Sequence, residues 1–369
     1  MKEREIWSVQ VPGKCLVLGG YLILEDGNRG VSLSLSARTR ATLCVKEVES
    51  GDGLVEVTSP DLGGKWIYSI DNTSAVCIVK ESEENAFLLC SLQRVLTLPS
   101  VASCLAHIHL NIQIENRDGF YYQQNGRQHK TGFGTSSTTT AAFVCCLLLA
   151  SRSIGTPLSS EDRALVATLA IQAHNEAQHR SGSGYDILTG VYGSCVLSVT
   201  DSQLSHTPFS LPAGLAIVLS QGGGKSSSTP VLVKSLQAWR RGEGSEALWE
   251  RYRQNNEALV EALVRAEVAP LHRLYEERLE LMLELSHASG SGVLPDELFP
   301  VLKETMRIEG VVGCGVAGAG GFDSFYALVK KGEWRRDLVE RLWSTHGFSL
   351  SGAHEDDGGM VVQLSLWRV

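Results

Sequence analysis

The run Lys130-Thr131-Gly132-Phe133-Gly134-Thr135-Ser136-Ser137 sets two glycines and a series of hydroxyls directly before the apolar stretch 138–150 (TTTAAFVCCLLLA). That stretch reads as a buried helix, so the hydroxyls fall where the first backbone N–H groups lack partners and the helix dipole is positive. Such an end can hold a phosphate. A lone motif of this kind would read as an ordinary Ser/Thr cap after a glycine turn. Here three further loops share its character: Pro12-Gly13-Lys14, Ser181-Gly182-Ser183-Gly184-Tyr185-Asp186 and Gly318-Ala319-Gly320-Gly321-Phe322-Asp323.

Other motifs fail on spacing. Gly224-Lys225-Ser226 ends like a phosphate-binding P-loop, but the required first glycine would fall at Leu219. Gly313-Cys314-Gly315-Val316-Ala317-Gly318 fits a dinucleotide fingerprint, yet more glycines follow where a helix should start. His174 and His179 stand five apart with Glu176 between them, which misses the i, i+4 spacing of a zinc-binding helix.

The loops need a scaffold. Val9–Val11 and Leu16–Leu24 read as strands flanking a Pro-Gly-Lys turn, and the alternation from Ile108 to Ile114 predicts a half-exposed strand. Residues 161–178 read as a helix, followed by a short strand near Val191–Val199. After Pro208 come a strand at Leu215–Leu219 and helices around 231–241, 244–266, 270–287 and 296–309. A glycine-rich loop at 313–321, a strand at 324–329, a helix at 334–344 and a strand at 360–366 complete the pattern.

At 369 residues the chain exceeds the roughly 250–300 at which single cores stop growing, so two lobes are expected, 1–205 and 206–369. Hydrophobic residues at 43% supply a core, and no apolar run reaches the roughly 18 residues of a membrane span. The charged start MKEREIWSVQ is unlike a signal peptide, and the final Leu366-Trp367-Arg368-Val369 matches no peroxisomal or retention address. A cytoplasmic protein is the expectation. The nine cysteines form no C-x-x-C pair, and those such as Cys145 and Cys146 sit in apolar segments as reduced core residues. A net charge of −8 argues against nucleic acid or a membrane surface as partner, so an anionic ligand needs a local basic site.

Together the four loops resemble the ordered motif set of the GHMP kinases, from Val11 to about Val329. Within that superfamily the phosphomevalonate kinase branch is most similar, at Pro12–Tyr21 (P-G-K-x-L-x-x-G-G-Y), at Asp118–Gln123, at Lys130–Ser136 and at Gly182–Asp186 followed by Tyr192-Gly193. Gly-Ser-Gly before the aromatic-Asp pair, where mevalonate kinases tend to carry Pro-Ser-Gly, separates the two branches. The resemblance implies an α+β GHMP kinase fold, with an N-terminal lobe like ribosomal protein S5 domain 2 and a ferredoxin-like C-terminal lobe. Three departures stand out: Gly-Phe-Gly-Thr-Ser-Ser in the cradle, Gly20 where many GHMP kinases have Glu, and Phe322 in place of a third glycine.

The same resemblance implies ATP-dependent phosphorylation of 5-phosphomevalonate, a step of isoprenoid and sterol biosynthesis, with Mg²⁺. Lys14 and Asp186 are then the catalytic pair. Lys130, Gly132, Gly134, Thr135, Ser136 and Ser137 hold the nucleotide, with the Ser136 hydroxyl and the Glu176 carboxylate as metal ligands. Lys14, Arg180, Ser183, Lys225, Ser227, Ser228, Ala319 and Gly320 receive the substrate. The only partners implied are these small molecules, and the chain would act as a monomer or homodimer. The rivals are mevalonate kinase or another small-molecule GHMP kinase, and a catalytically dead ligand sensor; retention of both Lys14 and Asp186 speaks against the last.

Overall fold

Alternating apolar residues fold most of the first half into one twisted sheet. The computed structural model describes residues 3–47, 53–61, 63–70, 77–80, 84–116, 119–124, 126–179, 182–222, 229–322 and 324–368. β1 (Glu3–Leu18) and β2 (Arg29–Glu47) pair antiparallel, joined through a 3₁₀ turn at Leu22–Leu24. β3 (Gly53–Ser59), β4 (Gly64–Ile70) and β5 (Cys77–Lys80) follow. After helices α1 (Ala86–Leu96) and α2 (Pro99–Leu105), β6 (Ile108–Asn116) enters between β2 and β3. Its alternate burial matches the period-2 pattern of the sequence.

A hairpin of β7 (Tyr121–Gln124) and β8 (Arg127–Lys130) leads to α3 (Thr135–Ala150), in which every residue but Ser136 is buried. α4 (Ser160–Ala177) starts at a capping box in which Ser159 Oγ accepts from Asp162 N–H at 3.1 Å and Asp162 accepts from Ser159 N–H at 3.0 Å. α5 (Tyr185–Tyr192), β9 (Cys195–Thr200) and β10 (Gln203–Pro208) complete this half.

The second half begins with β11 (Leu215–Gly222) and runs through α6 (Thr229–Arg240), α7 (Glu246–Val264), α8 (Leu271–Ser289) and α9 (Leu298–Met306). β12 (Val311–Val316), β13 (Phe325–Lys330), α10 (Arg336–Thr345) and β14 (Phe348–Leu350) follow. The strands form an antiparallel sheet in the order β12-β13-β11-β14, which is the βαββαβ plan of a ferredoxin-like lobe elaborated by extra helices.

The chain then returns. β15 (Val361–Arg368) pairs with β1, so the first sheet runs β10-β9-β2-β6-β3-β4-β5 with β1 on β2 and β15 at the outer edge. The division expected at 205/206 is therefore corrected at two places: it cuts through β10 and assigns β15 to the wrong sheet. Strand membership depends on which distant edge is free to pair, and neither strand carries that information locally.

Two apolar cores meet at β1 and β2. Val9, Val11, Ala41 and Leu43 pack under the helices of the first half, while Val17, Leu18, Leu33 and Leu35 pack against the second. Covering both faces of the paired strands fixes the two halves against each other. Among the described residues no single helix is long and apolar enough to cross a membrane.

Candidate active site

Lys14 lies inside β1, not in a turn. The register against β2 shifts between Pro12 and Lys14, and such an irregularity re-aims a strand side chain. Lys14 N–H donates to Phe133 O at 2.9 Å, which staples the strand to the cradle. The Lys14 ammonium donates to Gly132 O at 3.1 Å. Proline and glycine are the composition of a turn and of a bulge alike, and only the β2 partner distinguishes them.

Gly134 caps α3 in the left-handed region (φ 91°) and supplies no side-chain hydrogen bond to the helix. The hydroxyls bond backward: Ser137 Oγ–H donates to Gly134 O at 2.7 Å and Thr138 Oγ1–H to Thr135 O at 3.1 Å. The first-turn N–H groups stay directed outward with no acidic residue beside them, which is the arrangement that favours an anion.

A second helix start faces the same space. α5 is capped by Gly184, also left-handed (φ 79°) and also without a side-chain bond to the helix. Asn175 on α4 holds the preceding loop, accepting Gly182 N–H at 2.9 Å and donating to Gly182 O at 3.3 Å. Asp186 is in the first turn of α5, where its Oδ1 accepts the Ile187 N–H at 3.0 Å.

The third wall comes from the second half. Gly318 N–H donates to Leu16 O at 3.1 Å, and the Tyr21 hydroxyl donates to Ala319 O. Gly20 is required by this approach, because a Cβ there would stand 2.8 Å from Gly318 O. A glutamate at position 20 could not be accommodated. Phe322 turns away and packs on the second core, which is how a bulky residue is tolerated beside the tight loop.

These walls enclose a cleft of about 510 Å³. Lys14, Tyr185 and Asp186 occupy one side. Burial alone would lower the Lys14 pKa, but Tyr185 and the Asp186 carboxylate outweigh it and raise it above its ordinary 10.5. The side chain is thus a permanent cation between two helix starts.

Lys130, Gly132, Gly134, Thr135, Ser136, Ser183 and Ala319 line the cleft with Lys14 and Asp186. Three expectations change. Glu176 pairs with Arg94 on α1 and does not line the cleft, because its side of α4 faces another helix. The Ser137 hydroxyl is buried and spent on Gly134 O, which leaves only its N–H for a ligand. The Gly320 N–H is committed to Ala317 O at 3.1 Å, and its α-carbon faces Val293 O, so Ala319 alone of that pair reaches the cleft. Arg180, Lys225, Ser227 and Ser228 lie outside the described residues, as do Asp118 and Asp323.

Several cleft residues carried no assigned role in the sequence. His174 is buried on α4 with its Nε2 3.1 Å from the Ser136 hydroxyl, a better use of that histidine than a metal pair. Lys234 and Gln237 come from α6, and Tyr185 from the Gly-Ser-Gly motif itself. Tyr185 was within a quoted motif; Lys234 had no signal, since only packing brings α6 to the cleft.

No protein-family profile matches the chain. A phosphomevalonate kinase of Streptococcus pneumoniae, solved in complex with phosphomevalonate and AMPPNP, superposes with a TM-score of 0.68 at 16% identity, covering 95% of this chain and 99% of that one. That likeness establishes the fold. Phosphomevalonate kinase of Aspergillus fumigatus is 26% identical over 467 residues, covering 99% of this chain and 95% of the relative. The peroxisomal phosphomevalonate kinase of Arabidopsis thaliana is 24% identical over 486 residues, 95% of each chain. The chain has the GHMP kinase fold and is similar to phosphomevalonate kinases along nearly its whole length. That similarity offers an explanation for a cleft framed by two uncapped helix starts, since a kinase acting on a phosphate must seat two anions at once.

Proposed function

We propose that this protein transfers the γ-phosphoryl group of ATP to the phosphate of 5-phosphomevalonate, giving 5-diphosphomevalonate and ADP. The observation that carries this reading is the convergence of the α3 and α5 starts on one cation, Lys14. A phosphate monoester has a second pKa of about 6, so its attacking oxygen is already ionised at neutral pH. Little proton abstraction is needed. The main task is to bring two polyanions together in line, which makes neutralisation and positioning the principal catalytic contributions.

In this reading the N–H groups at the start of α3 hold the ATP phosphates, with Lys130 at the rim. Lys14 bridges donor and acceptor phosphates at their meeting point. Asp186 orients Lys14 and the acceptor, and Ser183, Ala319 and Lys234 contact the acceptor side. Mg²⁺, when bound, lowers the charge of the triphosphate; the Ser136 hydroxyl is the cleft group suited to hold it, with waters completing its shell. Glu176 is already engaged by Arg94 and is not part of this set.

The reaction belongs to the mevalonate route to isoprenoids, and we place it in the cytoplasm, a reducing compartment that suits the eight described free cysteines. A tagged chain localising to peroxisomes would overturn that placement. The reaction itself is tested by ADP release with 5-phosphomevalonate, mevalonate and a set of sugars. Turnover with 5-phosphomevalonate alone is expected; activity only with mevalonate refutes the assignment, and silence with every acceptor favours a ligand sensor.

A further inference from the structure

We infer that the Tyr185 hydroxyl is a positioning and specificity residue, which holds the Lys14 ammonium toward the acceptor and gives the acceptor phosphate an additional hydrogen-bond donor. The inference rests on the function proposed above and names a group that acts at the same site.

Tyr185 is the first residue of α5, next to Asp186, and its side chain lines the cleft. The Lys14 ammonium stands 5.5 Å from the centre of its ring. Of the three protons on that ammonium, Gly132 O takes one at 3.1 Å. Two remain for Tyr185 and Asp186, the groups that act on this ammonium from its surroundings, and for an incoming phosphate.

The hydroxyl also faces the opposite wall. A Cβ on Gly318 would stand 3.6 Å from the Tyr185 oxygen, so the phenol faces the glycine-rich loop beside Ala319 with room for little more than one atom between them. It thereby spans the cleft from the catalytic lysine to the loop that meets the acceptor. Burial raises the Tyr185 pKa above its ordinary 10, and the group remains a neutral donor at physiological pH.

An acceptor bearing a charged phosphate gains from each donor directed at its oxygens. An alcohol acceptor at the same place would gain little from a phenol that cannot act as a base at neutral pH. The hydroxyl therefore favours phosphate over alcohol acceptors.

Tyr185→Phe keeps the ring and removes only the oxygen. Steady-state kinetics and calorimetric titration of 5-phosphomevalonate would be run on the wild type, Y185F, K14M and the double variant. We expect an unchanged KM for ATP and about tenfold weaker acceptor binding in Y185F, with the loss reduced to about twofold or less in the K14M background. A ring that merely packs would leave Y185F equal to wild type. An undiminished loss in K14M would show that Tyr185 does not act through Lys14. Either result overturns the inference while wild-type turnover keeps the function intact; absence of wild-type turnover defeats the function and this inference with it.

Discussion

The Lys14 side chain crosses the bare α-carbon of Gly134: a Cβ there would stand 3.2 Å from Lys14 Cε and 2.9 Å from Ser137 Oγ. The missing side chain at the α3 cap is thus what lets the cation pass over the start of the helix. One glycine meets two demands, a left-handed backbone and room for its neighbour.

Gly134→Ala should therefore damage both features. The left-handed conformation alone costs an alanine about 1–2 kcal/mol, and the crowding displaces Lys14 from the phosphate path. We predict a fall of more than about tenfold in kcat/KM, larger than the loss of stability accounts for, measured by coupled ADP release and thermal melting. A variant that melts lower but turns over normally would separate Gly134 from catalysis.

Ser136 and Glu176 should part company as metal ligands. Ser136→Ala is expected to raise the Mg²⁺ concentration needed for half-maximal rate. Glu176→Gln should leave it unchanged and alter stability by no more than about 1 kcal/mol, since its ion pair with Arg94 is partly exposed. Magnesium titrations of both variants decide this, and a shift in E176Q would return that carboxylate to the site.

The pH dependence follows from the lysine and the acceptor. Burial pulls the Lys14 pKa down, Tyr185 and Asp186 push it up, and the net shift is upward. A raised folded-state pKa contributes stability that is complete below the ordinary 10.5 and is lost as pH climbs through the folded value. The cation thus persists from about pH 7 to about pH 10. Below about pH 10 the rate should fall only on the acid side, near the acceptor's second pKa of about 6, and a basic limb should follow where Lys14 loses its proton. Asp186→Asn removes one group that raises Lys14, so the basic limb should move to lower pH; a profile identical to wild type would show that the two do not communicate.

Cys15 adjoins Lys14 yet should be inert. Burial pushes its thiol up to about 12 against the opposing pull of Lys14, and burial likewise pushes Cys195 up to about 11. Iodoacetamide at about pH 8 should leave both unmodified in the folded protein, because the thiolate is the reactive form. Peptide mass mapping checks this. Rapid labelling of Cys15 would place an accessible thiolate in the cleft wall.

Local pattern made part of this molecule legible. The apolar run after Ser137 and the alternation from Ile108 to Ile114 specify α3 and β6 because a 3.6-residue or 2-residue period survives in sequence. α5 escaped notice since its eight residues are too few to establish a period, so Val191 and Tyr192 read as strand although they end a helix. The glycines from 313 to 315 read as loop but belong to β12, where a Cβ on Gly313 would collide with the Tyr275 ring.

The cleft residues divide in the same way. Lys14, Ser136 and Asp186 stand in motifs whose spacing is itself chemical. Glu176 looked equally suitable until Arg94, 82 positions earlier in the chain, claimed it. Lys234 and the return of β15 depend on how two lobes pack, which no stretch of ten residues encodes.

The central claim is that the oxygen that attacks the γ-phosphorus of ATP is supplied by a phosphate and not by an alcohol. Phosphorus NMR of the product formed from ATP and 5-phosphomevalonate reads that bond directly. The account predicts a pair of mutually coupled diphosphate resonances in the product, growing in step with ADP. Two uncoupled monoester resonances would mean that a hydroxyl had been phosphorylated instead, and would contradict it.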